Sequence, residues 1–150
     1  MSNILALDLA QSMGFALGRP GAMVSGVWNF KPKKNDDWVD QFVNFEDQLR
    51  DHRSDFHFKT IVYERVNFHS SVQAAHVHAG YKVSMLRFAK LRYLNVVDFT
   101  PSQWRKIVLG KGGAKKQEAI DYCLAKGIEP TTHDEAEAVC IFDAYWKSKT

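Results

Sequence analysis

The chain has 150 residues, 45% of them apolar, and a formal charge of +3. That length suits one domain with a real core, so a single domain over residues 1–150 is predicted. No apolar run is long enough to span a bilayer, and the N-terminus lacks the basic, apolar, small-residue order of a signal peptide. A cytoplasmic protein without a membrane partner is the expectation. Cys123 and Cys140 form no C-x-x-C pair and fall in helical-looking segments, which points to reduced core residues rather than a disulfide or zinc site.

The charge is unevenly distributed. From Arg65 to Gln117 there are ten basic residues and one acid, Asp98, while the rest of the chain carries ten basic residues against sixteen acids. Such asymmetry hints at a polyanionic partner, and a solvated face of two helices is the plain alternative.

In chain order, residues 3 to 9 read as a buried strand, and residues 13 to 18 and 23 to 30 as two more, joined by the turn signal "GRPGA". Three successive strands suggest an antiparallel meander. After the polar loop "KPKKNDD", Trp38, Phe42, Phe45 and Leu49 recur at helical spacing from about Asp36 to His52. "FKTIVYERV" is the next strand, β-branched and ending in an acid, Glu64. A long helix is predicted from Ser70 to Leu91, then a strand "LNVVDF", then a helix opened by Thr100 as N-cap and Pro101 at its first position. The glycine-rich basic loop "LGKGGAKK" leads into a helix stopped near Gly127, and "THDEAEAV" opens a last helix near Thr132 or His133. This order predicts an α/β fold: a mixed five-stranded sheet, antiparallel in its first three strands and flanked by helices.

Acids stand at three informative places. Asp8 interrupts the apolar "ILALDLA", Glu64 ends the fourth strand, and Asp134 and Glu137 are three apart, hence on one helix face. Asp134 or Glu135 alone would be explained as a partner of the helix dipole. Asp8 resists that kind of explanation, because a buried carboxylate needs a cation or several donors beside it. If the first and fourth strands are neighbours, these acids converge, and all-oxygen ligation suits Mg²⁺ or Mn²⁺. Two such ions can drive phosphodiester hydrolysis.

The ordered set "ILALDLAQSMGFAL", "SGVWNF", "IVYERVNF", "GKGGAKKQEAI" and "HDEAEAV" resembles the RuvC-type Holliday junction resolvases of the ribonuclease H-like superfamily, phage-encoded members included. It covers most of the chain. The resemblance implies a ribonuclease H-like nuclease domain in which Asp8, Glu64, Asp134 and Glu137 are catalytic and hold two Mg²⁺ ions, with Mn²⁺ as a substitute. Relatives usually carry Asp where Glu137 stands, and Asp, His or Asn where Asp134 stands. His133 would be a partner behind the ligands or simply solvent-exposed. DNA contacts are implied for Arg105 and Lys116, with Lys106, Lys111 and Lys115 beside them, and Gly110, Gly112 and Gly113 would let the backbone approach a phosphate. Phe68 resembles the aromatic placed at the junction centre, and a core phenylalanine is the alternative.

The expected activity is therefore endonucleolytic cutting of four-way junctions, Y-forks and flaps by a two-fold homodimer paired through the Ser70–Leu91 helix. Three other readings compete. A related nuclease acting on structured RNA would have the same metal site, and substrate comparison separates the two. A non-catalytic binding module would be expected to have lost some of the four acids. An actin-like nucleotide-binding lobe is suggested by "DLAQSMG", but such proteins need two lobes.

Overall fold

Residues Ile4–Asp8 form strand β1, and their alternation divides the molecule into two layers of core. Leu5, Leu7 and then Leu9 enter one buried cluster, while Ile4 and Ala6 enter the other. A strand shows alternate side chains to opposite faces, so Asp8 falls on the Ile4 and Ala6 side.

The computed structural model describes residues 1–149. After β1 come β2 (Ser12–Arg19), β3 (Ala22–Asn29), α1 (Asp40–Phe56), β4 (Thr60–Glu64), α2 (Val72–Leu91), β5 (Asn95–Phe99), α3 (Pro101–Leu109), α4 (Lys116–Ala125) and α5 (His133–Ser148). The five strands make one sheet in the order β3-β2-β1-β4-β5. β1 to β3 are antiparallel neighbours, whereas β4 runs parallel to β1 and β5 parallel to β4. No helix among the described residues is long and apolar enough to cross a membrane.

One face of the sheet is covered by α1 and α2 through Phe42, Phe45, Leu49, Tyr81 and Met85. On the other, α5 lies over β1 and β2, with α3 and α4 packed beside it. Small residues make that second layer thin. Ala6 and Ala16 on the strands and Ala136 and Ala138 on α5 are all fully buried, which lets helix and sheet approach closely.

The expected mixed sheet is present, and several boundaries move. Helix α1 runs from Asp40 to Phe56 rather than from Asp36 to His52. Lys33 and Asp37 backbone N–H groups donate to the Asp36 and Asp40 carboxylates, so residues 33–39 spend their acids on turns before the helix begins. Trp38 consequently precedes α1 and is 49% exposed instead of continuing its apolar stripe. Strand β4 is likewise confined to Thr60–Glu64. Thr100 is the predicted N-cap and forms a capping box with Gln103, while Ser71 and Thr132 cap their helices by accepting from the backbone N–H groups of Ala74 and Glu135. Both cysteines are buried free thiols.

Candidate active site

Strands β1 and β4 lie side by side in parallel, with Leu7 opposite Tyr63, so Asp8 and Glu64 emerge together at the C-terminal edge of the sheet. Both point to the α5 layer. Across them lies the first turn of α5, which can sit so close because Gly14, paired with Asp8, has no side chain. A Cβ at Gly14 would stand 1.9 Å from the Asp134 carbonyl oxygen.

The outcome is a buried acidic cluster. Asp8, Asp134 and Glu137 each present a carboxylate oxygen, and these atoms all lie within 4.8 Å of one another. Burial pushes the Asp8 carboxyl well above its usual range, and the charges of Glu137, Glu64 and Asp134 push it further. Glu64 lies outside the tight set of three; its carboxyl is also raised by burial, and a hydrogen bond from Trp104 opposes the rise. The indole Nε1–H of Trp104 donates to Glu64 Oε2 at 2.6 Å.

Two basic side chains, Arg105 and His133, reach the cluster. Arg105 Nη2 is 3.8 Å from Glu137 Oε1, and its charge also acts on Glu64. His133 Nε2 is 3.3 Å from Asp134 Oδ1, and Lys116 Nζ lies 3.4 Å from the same ring nitrogen. His133 thus stands between Lys116 and Asp134, with its side chain 41% exposed. These contacts leave several oxygens converging without full compensation. The donor set, all carboxylate and partly buried, fits a hard divalent cation.

The other basic residues separate in space. Lys111 turns to Glu118 at 3.2 Å, and the Lys115 backbone N–H also donates to the Glu118 carboxylate. Hydrogen bonds from Lys115 and then Lys111 hold the Glu118 carboxyl below its usual range. Lys106 stands in the last turn of α3. Farther off, Arg65 faces Asp98, Arg87 faces Glu46, and Arg92 stacks over the Phe88 ring. The basic stretch of sequence is therefore not one surface. Gly110 caps α3 with φ +86°, and a Cβ at Gly112 would meet Ser102, so two of the three loop glycines have structural reasons. Phe68 is not a core residue: it is 90% exposed in the segment after Glu64.

Two residues of the site, Trp104 and Gly14, were given no role from the sequence. Trp104 could have been found as an indole on a short amphipathic helix whose N–H needs an acceptor. Gly14 carried no local signal, since its contact is with a residue of α5. Glu135 faces away from the cluster, accepting from Ser25 Oγ at 2.7 Å and from the Thr131 backbone N–H at 2.9 Å, which ties α5 to β3.

Sheet order, helix placement and the acids at the β1, β4 and α5 ends define the class: this is the fold of the RuvC-type Holliday junction resolvases, one of the ribonuclease H-like folds. The Thermus thermophilus RuvC structure superposes with a TM-score of 0.78 at 16% identity, over 98% of this chain and 95% of that one. T. thermophilus RuvC in complex with a Holliday junction substrate gives 0.82 at 12% identity, over 99% and 95%. The yeast mitochondrial Holliday junction resolvase Ydc2 gives 0.64 at 14% identity, over 99% and 80%. No protein-family model matches the sequence, and no curated protein does.

Proposed function

We propose that this chain is a Mg²⁺-dependent, structure-selective endonuclease that resolves four-way junctions and related branched DNA. The observation that carries this is the convergence of Asp8, Asp134 and Glu137 oxygens within 4.8 Å, beside Glu64, on a fold shared with Holliday junction resolvases.

Asp8, Asp134 and Glu137 would hold the metal, with Glu64 completing a site for a second ion. The chemistry supplied by Mg²⁺, or by Mn²⁺ in its place, is charge that activates water and neutralises the leaving oxygen of a phosphodiester. The protein's own part is orientation. Trp104 holds one oxygen of Glu64 and leaves the other for the site. Arg105, on the flank of Glu137, is placed to exchange a carboxylate for a scissile phosphate. Lys116 and Lys106, with Lys111 and Lys115 on the same loop, would hold the DNA backbone, and the exposed Phe68 would face the branch point.

Symmetric cutting of a junction requires two sites, and α2 supplies a surface for pairing: Val72, Val83, Leu86 and Leu91 are exposed along it. A homodimer through α2, acting in the cytoplasm, is the assembly proposed. The test is cleavage of a synthetic four-way junction, a Y-fork, a linear duplex and an RNA duplex with Mg²⁺. Junction cleavage that Asp8→Asn abolishes is expected; preferential RNA cleavage, or full activity of the variant, would overturn the reading.

A further inference from the structure

A cavity of about 800 Å³ opens at the same edge of the sheet as the acidic cluster, on the opposite face. Leu9, the residue after Asp8, and Val66, two residues after Glu64, both line it, together with Val77 of α2. The chain reverses face at this point because Leu9 follows Asp8 in an extended run.

Its lining mixes apolar side chains, Leu9, Val66, Val77 and the Trp38 ring, with polar ones such as Gln11 and His78, a composition suited to a flat, heteroatom-bearing ligand. Trp38 presents a half-exposed indole, held from behind by an edge contact with Phe42 at 4.8 Å between centroids. Gln11 spends its amide nitrogen on Gln41 Oε1 at 3.0 Å, and Gln41 is itself fixed by the Tyr81 hydroxyl and the Trp38 carbonyl. Gln11 keeps its carbonyl oxygen and its second amide N–H to offer, an acceptor beside a donor. His78 Nε2 is buried without a hydrogen-bond partner among the described residues. Burial, then the charges of His69 and Lys82, hold the His78 ring below its ordinary pKa, so at neutral pH it carries one donor and one acceptor nitrogen. The His78 ring lines the cavity, while its Nε2 is enclosed by protein rather than open to it.

We infer that this cavity receives one unstacked nucleobase of the DNA bound at the acidic cluster, stacked on Trp38 with its polar edge met by Gln11 and the His78 ring alongside. The ligand class follows from the three groups together and from position. Leu9 directly follows Asp8, so the cavity lies one residue along the chain from the cluster, and bases at a branch point are the least costly to unstack. The inference rests on the nuclease reading above.

Ultraviolet cross-linking tests it. A four-way junction carrying 5-iodo-2′-deoxyuridine at each nucleotide flanking the cleaved phosphate is bound to the full chain with Ca²⁺ in place of Mg²⁺, and the adducts are located by mass spectrometry. A cross-link at Trp38 from one flanking nucleotide is expected. Trp38→Ala should lower junction affinity about tenfold and leave linear-duplex affinity unchanged, with Trp38→Phe restoring most of the loss. His78→Ala should alter which base is preferred at that nucleotide. If every adduct lies outside the cavity while the junction is bound and cut, or if Trp38→Ala binds the junction like the parent, the inference is overturned and the nuclease reading stands. If the parent neither binds nor cuts the junction, the nuclease reading itself has failed, and this one with it.

Discussion

Trp104 on α3 and Glu64 at the end of β4, forty residues apart, are joined by an indole N–H to carboxylate bond of 2.6 Å. Trp104 is 1% exposed and Glu64 8%, so the bond is shielded from water. It sets which oxygen of Glu64 remains for the site. Trp104→Phe keeps most of the ring and deletes the donor, removing a bond of the kind worth about 1.5–3 kcal/mol to a charged partner. Because that bond lowers the Glu64 pKa, its loss should raise the pKa further. The pH–rate profile of cleavage should move to the alkaline side, and half-maximal Mg²⁺ should rise about tenfold, with an unchanged circular dichroism spectrum.

Asp8 gives a stability prediction whose sign is set by burial. Its carboxyl is raised well above the unfolded value, so between the two values the folded chain binds the extra proton and stability falls as pH rises. In EDTA, Asp8→Asn should melt higher than the parent near pH 8, by about 2–4 °C for each kcal/mol of relieved repulsion. The gap should close as pH falls to the ordinary carboxyl range. Adding Mg²⁺ should raise the parent's melting temperature but not the variant's, and cleavage should drop at least about a hundredfold. Equal melting curves at both pH values would contradict the buried-charge account.

Gly14→Ala tests the close approach of α5. The new methyl would overlap the Asp134 carbonyl, a backbone atom that cannot rotate away. A loss of about 1–3 kcal/mol in urea unfolding is expected, together with weaker metal binding, because α5 must lift from β2. An alanine variant with the parent's urea midpoint would show that the helix has room to spare.

The basic residues should divide by position. Lys116→Ala should lower the slope of log affinity against log salt by about 1, as for one lost phosphate contact. Lys111→Ala should change it less, since Lys111 already faces Glu118. Filter-binding or anisotropy across a salt series reads both; identical slopes would remove the distinction.

Much of this site was legible because its acids stand at ends of elements with clear periods. "ILALDLA" marks a strand interrupted by a carboxylate, "TIVYE" ends in one, and the three-residue spacing of Asp134 and Glu137 puts both on one helix face. Pro101 and Thr100 announced α3 through backbone chemistry alone. Trp38 misled, since its spacing continued a helical stripe while the Asp36 and Asp40 carboxylates were tied up in turns. Phe68 was open to two readings, for an aromatic after a strand serves a core or a surface equally well; it is at the surface.

Local pattern and residue chemistry therefore determined the order of strands and helices, their caps, and which acids could meet. Only the tertiary structure decided that Glu64 is held by Trp104, that Gly14 makes room for Asp134, that Arg105 reaches Glu137 and Lys116 reaches His133 while Lys111 turns to Glu118, and that a cavity lies behind Asp8. The physical reason is range. Periodicity and capping act within a few residues, whereas approach distances and buried hydrogen bonds depend on how segments far apart in the chain pack together.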